Sequence, residues 1–153
     1  MAAARQPVLF AEIGIPDTHR GRFEAICLFV ALVIRRCSAD ADPRGADLAQ
    51  AVFDAMFSDM DVNLREMGIG DLGVGKRVRF LWESFHGRAE AYTSALDAAD
   101  PARLAAALTR NVWAGSEPPP GADEALAART AAVAALLDDQ GIATLLRGEV
   151  RFA

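Results

Sequence analysis

Between residues 68 and 76, four glycines and a lysine fall at spacings that phosphate chemistry uses. Gly68-x-Gly70-x-x-Gly73 has the spacing of a dinucleotide-binding turn. Gly70-Asp-Leu-Gly-Val-Gly75-Lys76 matches a phosphate-binding loop as far as its lysine. Both devices hold phosphate oxygens with bare backbone amides at a helix start, and both need a strand ahead of the loop to aim those amides. Here the residues ahead of Gly68 read as helix, and Arg77 stands where a magnesium-binding hydroxyl would follow the lysine. The better reading is a helix-to-helix corner, with Gly68 ending one helix in a left-handed conformation and the other glycines allowing a tight crossing. Lys76, Arg77 and Arg79 then fall in the first turns of the next helix, where the macrodipole disfavours cations. Such a cluster suggests side chains kept for a partner.

Other reactive residue types form no site. Asp47, Asp54 and Asp61 stand seven apart on one polar stripe, but no histidine or glutamate-rich partner helix accompanies them, so a solvated face is expected and no metal. Cys27 and Cys37 are ten residues apart in an apolar helical stretch. That separation is roughly 15 Å along a helix axis, too far for a disulfide, so both are read as free, buried thiols and not as nucleophiles. His19 and His86 are the only histidines. A lone histidine is more often a structural or surface group than a haem ligand. No catalytic residue and no cofactor is expected.

The elements that carry these residues read as helices. The chain has 153 residues and is 52% hydrophobic, which fits one domain with its own core. Its formal net charge of -5 makes DNA an unexpected partner. The longest apolar run, residues 25–34, falls short of the roughly 20 residues of a membrane span. Residues 10–22 read as an irregular opening segment in which Asp17 or Thr18 would cap a following turn. Periodicity predicts helices over about 21–37, 46–67, 74–96, 101–113 and 122–139. In the third, Val78, Leu81, Trp82, Phe85, Ala89, Tyr92 and Leu96 make the buried stripe. Asp100-Pro101 is a helix-start signal. Leu145 and Leu146 suggest a short further turn, with Val150 and Phe152 in a tail tucked onto the body. The expected architecture is therefore a single all-α domain over 1–153, with five or six helices and a short C-terminal tail. Residues 1–9 are expected to be flexible and 115–121 to be a proline-rich connector. Arg20, Arg22, Arg35 and Arg36 bracket the first long helix. With Arg65, Lys76, Arg77, Arg79 and Arg88 they would make a basic area on an acidic protein.

Five segments together resemble a known family. They are Gly14-Ile-Pro-Asp-Thr, Gly21-Arg-Phe-Glu, Ala49-Gln-Ala-Val-Phe-Asp-Ala-Met-Phe-Ser-Asp-Met-Asp, Asn63-Leu-Arg-Glu-Met-Gly-Ile-Gly-Asp-Leu-Gly-Val-Gly-Lys-Arg-Val and Phe85-His-Gly-Arg-Ala-Glu-Ala-Tyr. On these the sequence resembles the ubiquinol-cytochrome c chaperone family in a bacterial form, over about residues 10–96 and more loosely beyond. The resemblance implies an all-α protein that is not an enzyme. It also implies an assembly chaperone that binds cytochrome b and promotes assembly of the cytochrome bc1 complex, complex III of the respiratory chain. Mitochondrial members bind near the ribosomal tunnel exit with a small partner protein. This sequence lacks their long amino-terminal extension, so ribosome association is not carried over to it. The implied location is cytoplasmic, peripheral on the cytoplasmic face of the inner membrane. The matched block marks Asp59, Asp61, Asn63, Arg65, Glu66, Gly68, Gly70, Asp71, Gly73, Gly75, Lys76 and Arg77 as the functional surface; its charged and polar members, with Arg79 of the adjoining cationic cluster, are the expected contacts for a client or a membrane surface, beside an apolar groove along the first three long helices. The alternatives are a helical protein-interaction adaptor with another client, or a phosphate- or nucleotide-binding protein using residues 70–76.

Overall fold

Pro7 opens the first short helix, α1 (Pro7–Ala11). A proline ring fixes φ near the helical value and lacks only an N–H that the first turn leaves unpaired anyway. The computed structural model describes residues 2–66 and 71–152, without the side chains of Asn63, Leu64, Glu66, Asp71, Leu72 and Val74. Among the described residues the chain is all-α. After α1 come α2 (His19–Ser38), α3 (Arg44–Glu66), α4 (Asp71–Asp97), α5 (Pro101–Val112), α6 (Ala122–Asp138) and α7 (Ile142–Leu146). Among the described residues the count is thus seven helices rather than the five or six expected. The five long ones match the periodic segments and α7 is the turn at Leu145. The missed element is α1, whose five residues are too few to display a helical period. Of residues 1–9, Ala3–Arg5 forms a 3-10 turn, and Ala3, Ala4 and Leu9 are buried in the core.

The loop before α2 explains the first family-like segments. Thr18 takes an extended conformation and its hydroxyl accepts the Gly21 N–H at 3.1 Å, capping the helix. A Cβ on Gly21 would lie 1.9 Å from the Pro16 carbonyl oxygen, so the turn closes only over glycine. Gly14 has φ +84°, and its carbonyl accepts the Trp113 indole N–H at 3.1 Å. Residues on three sides of α2, among them Ala25, Cys27, Leu28, Phe29 and Leu32, are buried. This helix touches α3, α4, α5 and α6 and forms the centre of the domain.

The remaining elements close around α2. Asp100 accepts the Arg103 N–H at 2.9 Å and Pro101 takes the first position of α5, as the sequence signals. The 113–121 connector is non-helical and ends at Gly121, φ +75°. At the C-terminus, Gln140 holds the backbone of Arg151 in both directions, at 2.9 and 2.8 Å. Phe152 sets its edge on Phe29, with ring centroids 5.6 Å apart. The tail is therefore tucked onto α2. Helices α3 and α4 join through Phe53, Phe57 and Phe85, whose rings meet at 4.6 to 6.2 Å.

Candidate functional site

Where α3 and α4 approach their junction, the packing thins out. In the first three turns of α4 no described side chain is buried. Val78 and Leu81 are half-buried, while Lys76, Arg77, Arg79, Phe80, Trp82 and Glu83 are exposed. Phe80 keeps 67% of its surface, Trp82 46%, and Val62 near the end of α3 51%. These are large apolar side chains left in water, which calls for a reason when they gather at one end of a hairpin.

The charged residues expected at this corner divide into paired and unpaired. Arg65 reaches Asp61 one turn back at 2.6 Å, and Arg79 reaches Glu83 one turn on at 3.1 Å. Asp59 is exposed. Among the described residues neither Lys76 nor Arg77 has an ion-pair partner, and both are exposed. Asn63, Glu66 and Asp71 belong to the corner by position, but their side chains lie outside the described residues, as do residues 67–70 entirely.

At the corner some expectations change and one holds. Helix α4 begins at Asp71, so Gly73 and Gly75 are helical and residues 71–76 form no loop. The element ahead of the junction is the expected helix, α3, so among the described residues no strand precedes it to aim amides at a phosphate. Lys76 lies past the first turn, where the macrodipole has largely decayed, so the cluster carries less local cost than a start at Val74 would impose. Nor does Gly75 serve a tight crossing, since a Cβ there would meet nothing within 4 Å. Trp82, assigned by periodicity to the buried stripe, turns outward and lies against His86, with centroids 4.2 Å apart. The Phe80-Leu81-Trp82 run explains this. At 100° per residue, three consecutive side chains span 200° of the helix and cannot all face one neighbour. Leu81 and Phe85 take the inward positions. Phe80 was missed, though the same run signals it.

The proposed wider basic area is not formed. Arg35 is taken up by Asp97 and Asp138, at 2.9 and 3.0 Å, and Arg36 by Asp40 at 2.7 Å. Arg22 pairs with Asp17. Arg88 points into the body, where it donates to Glu24 of α2 at 2.8 Å with the carboxylate 1% exposed. Burial pushes the Glu24 carboxyl above its ordinary pKa, and the Arg88 charge and hydrogen bond pull it back. One Glu24 oxygen and two Arg88 nitrogens, Nε and Nη1, are buried without a partner among the described residues. Burial, with the Glu24 charge, also pushes up the Cys27 thiol and the Tyr92 phenol beside the pair. Cys27 is thereby held as the protonated, buried thiol. Glu24 and its pairing with Arg88 escaped the sequence reading, because a contact across 64 positions leaves no local pattern.

Elsewhere the chemistry is sparse. His86 has Nδ1 3.0 Å from the Trp82 carbonyl oxygen and packs edge-on against Phe53, a structural role. Asp54 accepts from Gln50 at 2.7 Å. Among the described residues no group of three His, Cys, Asp or Glu side chains is placed to hold a metal ion. A cleft of about 340 Å³ lies between the end of α4, the start of α5 and α6, with Ala127, Ala131 and Ala135 of α6 in its lining.

Comparison with known proteins places this geometry. No curated protein sequence matches the chain. Among solved structures it is similar to the Cbp3 homolog from Brucella abortus, with 40% sequence identity and a TM-score of 0.88, over 99% of this chain and 83% of that one. The ubiquinol-cytochrome C chaperone family matches residues 11–152, which extends the likeness through the C-terminal helices as well as the segments that first suggested it. The chain belongs to the ubiquinol-cytochrome c chaperone family, and it is a chaperone and not an enzyme.

Proposed function

We propose that this chaperone binds cytochrome b and promotes its assembly into the cytochrome bc1 complex, acting as a peripheral protein on the cytoplasmic face of the inner membrane. The observation that carries the reading is the family match over residues 11–152, supported by the likeness to the Cbp3 homolog. Among the described residues no helix is long and apolar enough to cross a membrane. The working surface in this reading is the α3–α4 corner. There Lys76 and Arg77, without an ion-pair partner among the described residues, stand beside Arg79, Phe80 and Trp82, with Asp59, Asp61 and Arg65 on the end of α3; Asn63, Glu66 and Asp71 belong to the surface by sequence position.

Buried contacts tie the hairpin to the body of the molecule. The Glu24–Arg88 pair joins α2 to α4, and α3 joins α4 through the Phe53, Phe57 and Phe85 rings. The base of the hairpin is thereby fixed while its outer turns remain uncovered. Deleting the gene tests the reading: assembled complex III should fall steeply. Normal cytochrome b and complex III levels in the deletion would instead favour an adaptor with another client. A Lys76→Glu/Arg77→Glu/Arg79→Glu variant that restores full assembly would remove the corner from the working surface.

A further inference from the structure

We infer that the outer turns of α4 and the adjoining end of α3 form a lipid-contacting tip that seats the protein on an anionic bilayer. This rests on the reading of the corner as a contact surface, but assigns it to lipid and not to the client. The argument begins with directions. Phe80 and Trp82 are two residues apart on one helix, so their side chains leave it about 200° apart. Val62 is nine residues beyond Phe53, about half a turn away in angle, on the side of α3 opposite the ring that packs on Phe85. The three exposed apolar groups therefore point in different directions from one hairpin end. A protein groove covers one flank of a helix. A fluid apolar phase surrounds a tip and covers all flanks at once.

Charge points to the same occupant. The protein carries a net charge of -5 and is repelled as a whole by an anionic surface. Lys76, Arg77 and Arg79 project from the same two turns as Phe80, and the first two have no ion-pair partner among the described residues. Aromatic side chains at headgroup depth with adjacent lysine and arginine are the chemistry of an interfacial anchor. At the same end Asp61 and Glu83 are neutralised by Arg65 and Arg79, which leaves Lys76 and Arg77 as the groups that would meet lipid phosphates.

The test uses the purified full chain and vesicles of phosphatidylcholine, with or without one third phosphatidylglycerol, at physiological ionic strength. The protein should float with the anionic vesicles and not with the zwitterionic ones. Each cation at such a surface is worth about fivefold in affinity. Lys76→Gln/Arg77→Gln should therefore weaken binding by about 25-fold. Phe80→Ser/Trp82→Ser should reduce it by a comparable or greater factor. The emission of Trp82, taken as the difference between the native protein and Trp82→Phe, should shift to the blue on binding. Absence of flotation, flotation indifferent to both double variants, or unshifted Trp82 emission would each overturn the lipid assignment. If flotation is absent while Phe80→Ser/Trp82→Ser still abolishes complex III assembly in cells, the tip is a protein contact, and the chaperone reading stands without the lipid one.

Discussion

The first turns of α5 and the first described turns of α4 differ in how they are covered: one is closed and the other open. At α5 an aspartate cap, a proline at the first position and the inward residues Leu104, Leu108 and Val112 bury the helix against its neighbours. At α4 glycines occupy two helical positions, and Phe80 and Trp82 face water. Packing sets the first region and leaves no apolar surplus. The second holds apolar and cationic groups that the fold itself does not use. Residues that a chain keeps in such a state serve something outside it.

The contrast can be broken or sharpened by substitution, beginning in the body. Arg88→Ala strands the buried Glu24 carboxylate and should cost about 3–5 kcal/mol of unfolding free energy, measured by denaturant titration. A Glu24→Leu/Arg88→Met double variant should recover most of that loss, because it removes both charges together. Leu108→Ala, at a site with no exposure, should cost about 2–5 kcal/mol through lost transfer energy and a cavity. At the corner the same experiment should give far smaller changes. Gly75→Ala meets open space on an exposed helical face and should stabilise by about 0.5–1 kcal/mol. Phe80→Ser should stay within about 0.5 kcal/mol of the native protein. A loss of several kcal/mol there would mean that the corner is core and not surface.

A pH series gives a finer probe of the body. The folded Glu24 carboxyl has a pKa above its ordinary value of 4.5, so the folded state holds a proton more readily than the unfolded state. Its contribution to stability therefore rises as pH falls from the raised value toward the ordinary one. Asp42, held down to about 2 by Arg44, and Asp40, held down by hydrogen bonds to the Asp42 backbone and Arg36, act in the opposite sense, their contribution being lost at acid pH. The difference between the native protein and Glu24→Gln isolates the first term. That difference should move in favour of the native protein on acidification, read from denaturation midpoints.

How much was legible beforehand follows from the range of each interaction. The long helices and the α5 cap are local, and the 3.6-residue period with Asp100-Pro101 disclosed them. The five residues of α1 hold too little pattern, so residues 1–9 read as flexible and 10–22 as irregular, although Leu9 is fully buried. The buried pairing of Glu24 with Arg88 spans most of α2, α3 and half of α4, and a lone Arg88 looked like one more surface cation. Trp82 was misplaced because periodicity counts any large apolar residue near the stripe as core, without asking whether a neighbour exists to cover it. Function was legible only through the resemblance. The corner itself was singled out for its glycines, whereas its exposed aromatics are what the structure adds.

Complementation of a deletion strain tests the corner most directly. Phe80→Ser/Trp82→Ser/Lys76→Glu/Arg77→Glu, expressed at the native level and confirmed folded by its unchanged denaturation midpoint, should fail to restore assembled complex III. The unaltered protein should restore it fully. Full restoration by the folded variant would contradict the assignment of the α3–α4 corner as the working surface of this chaperone.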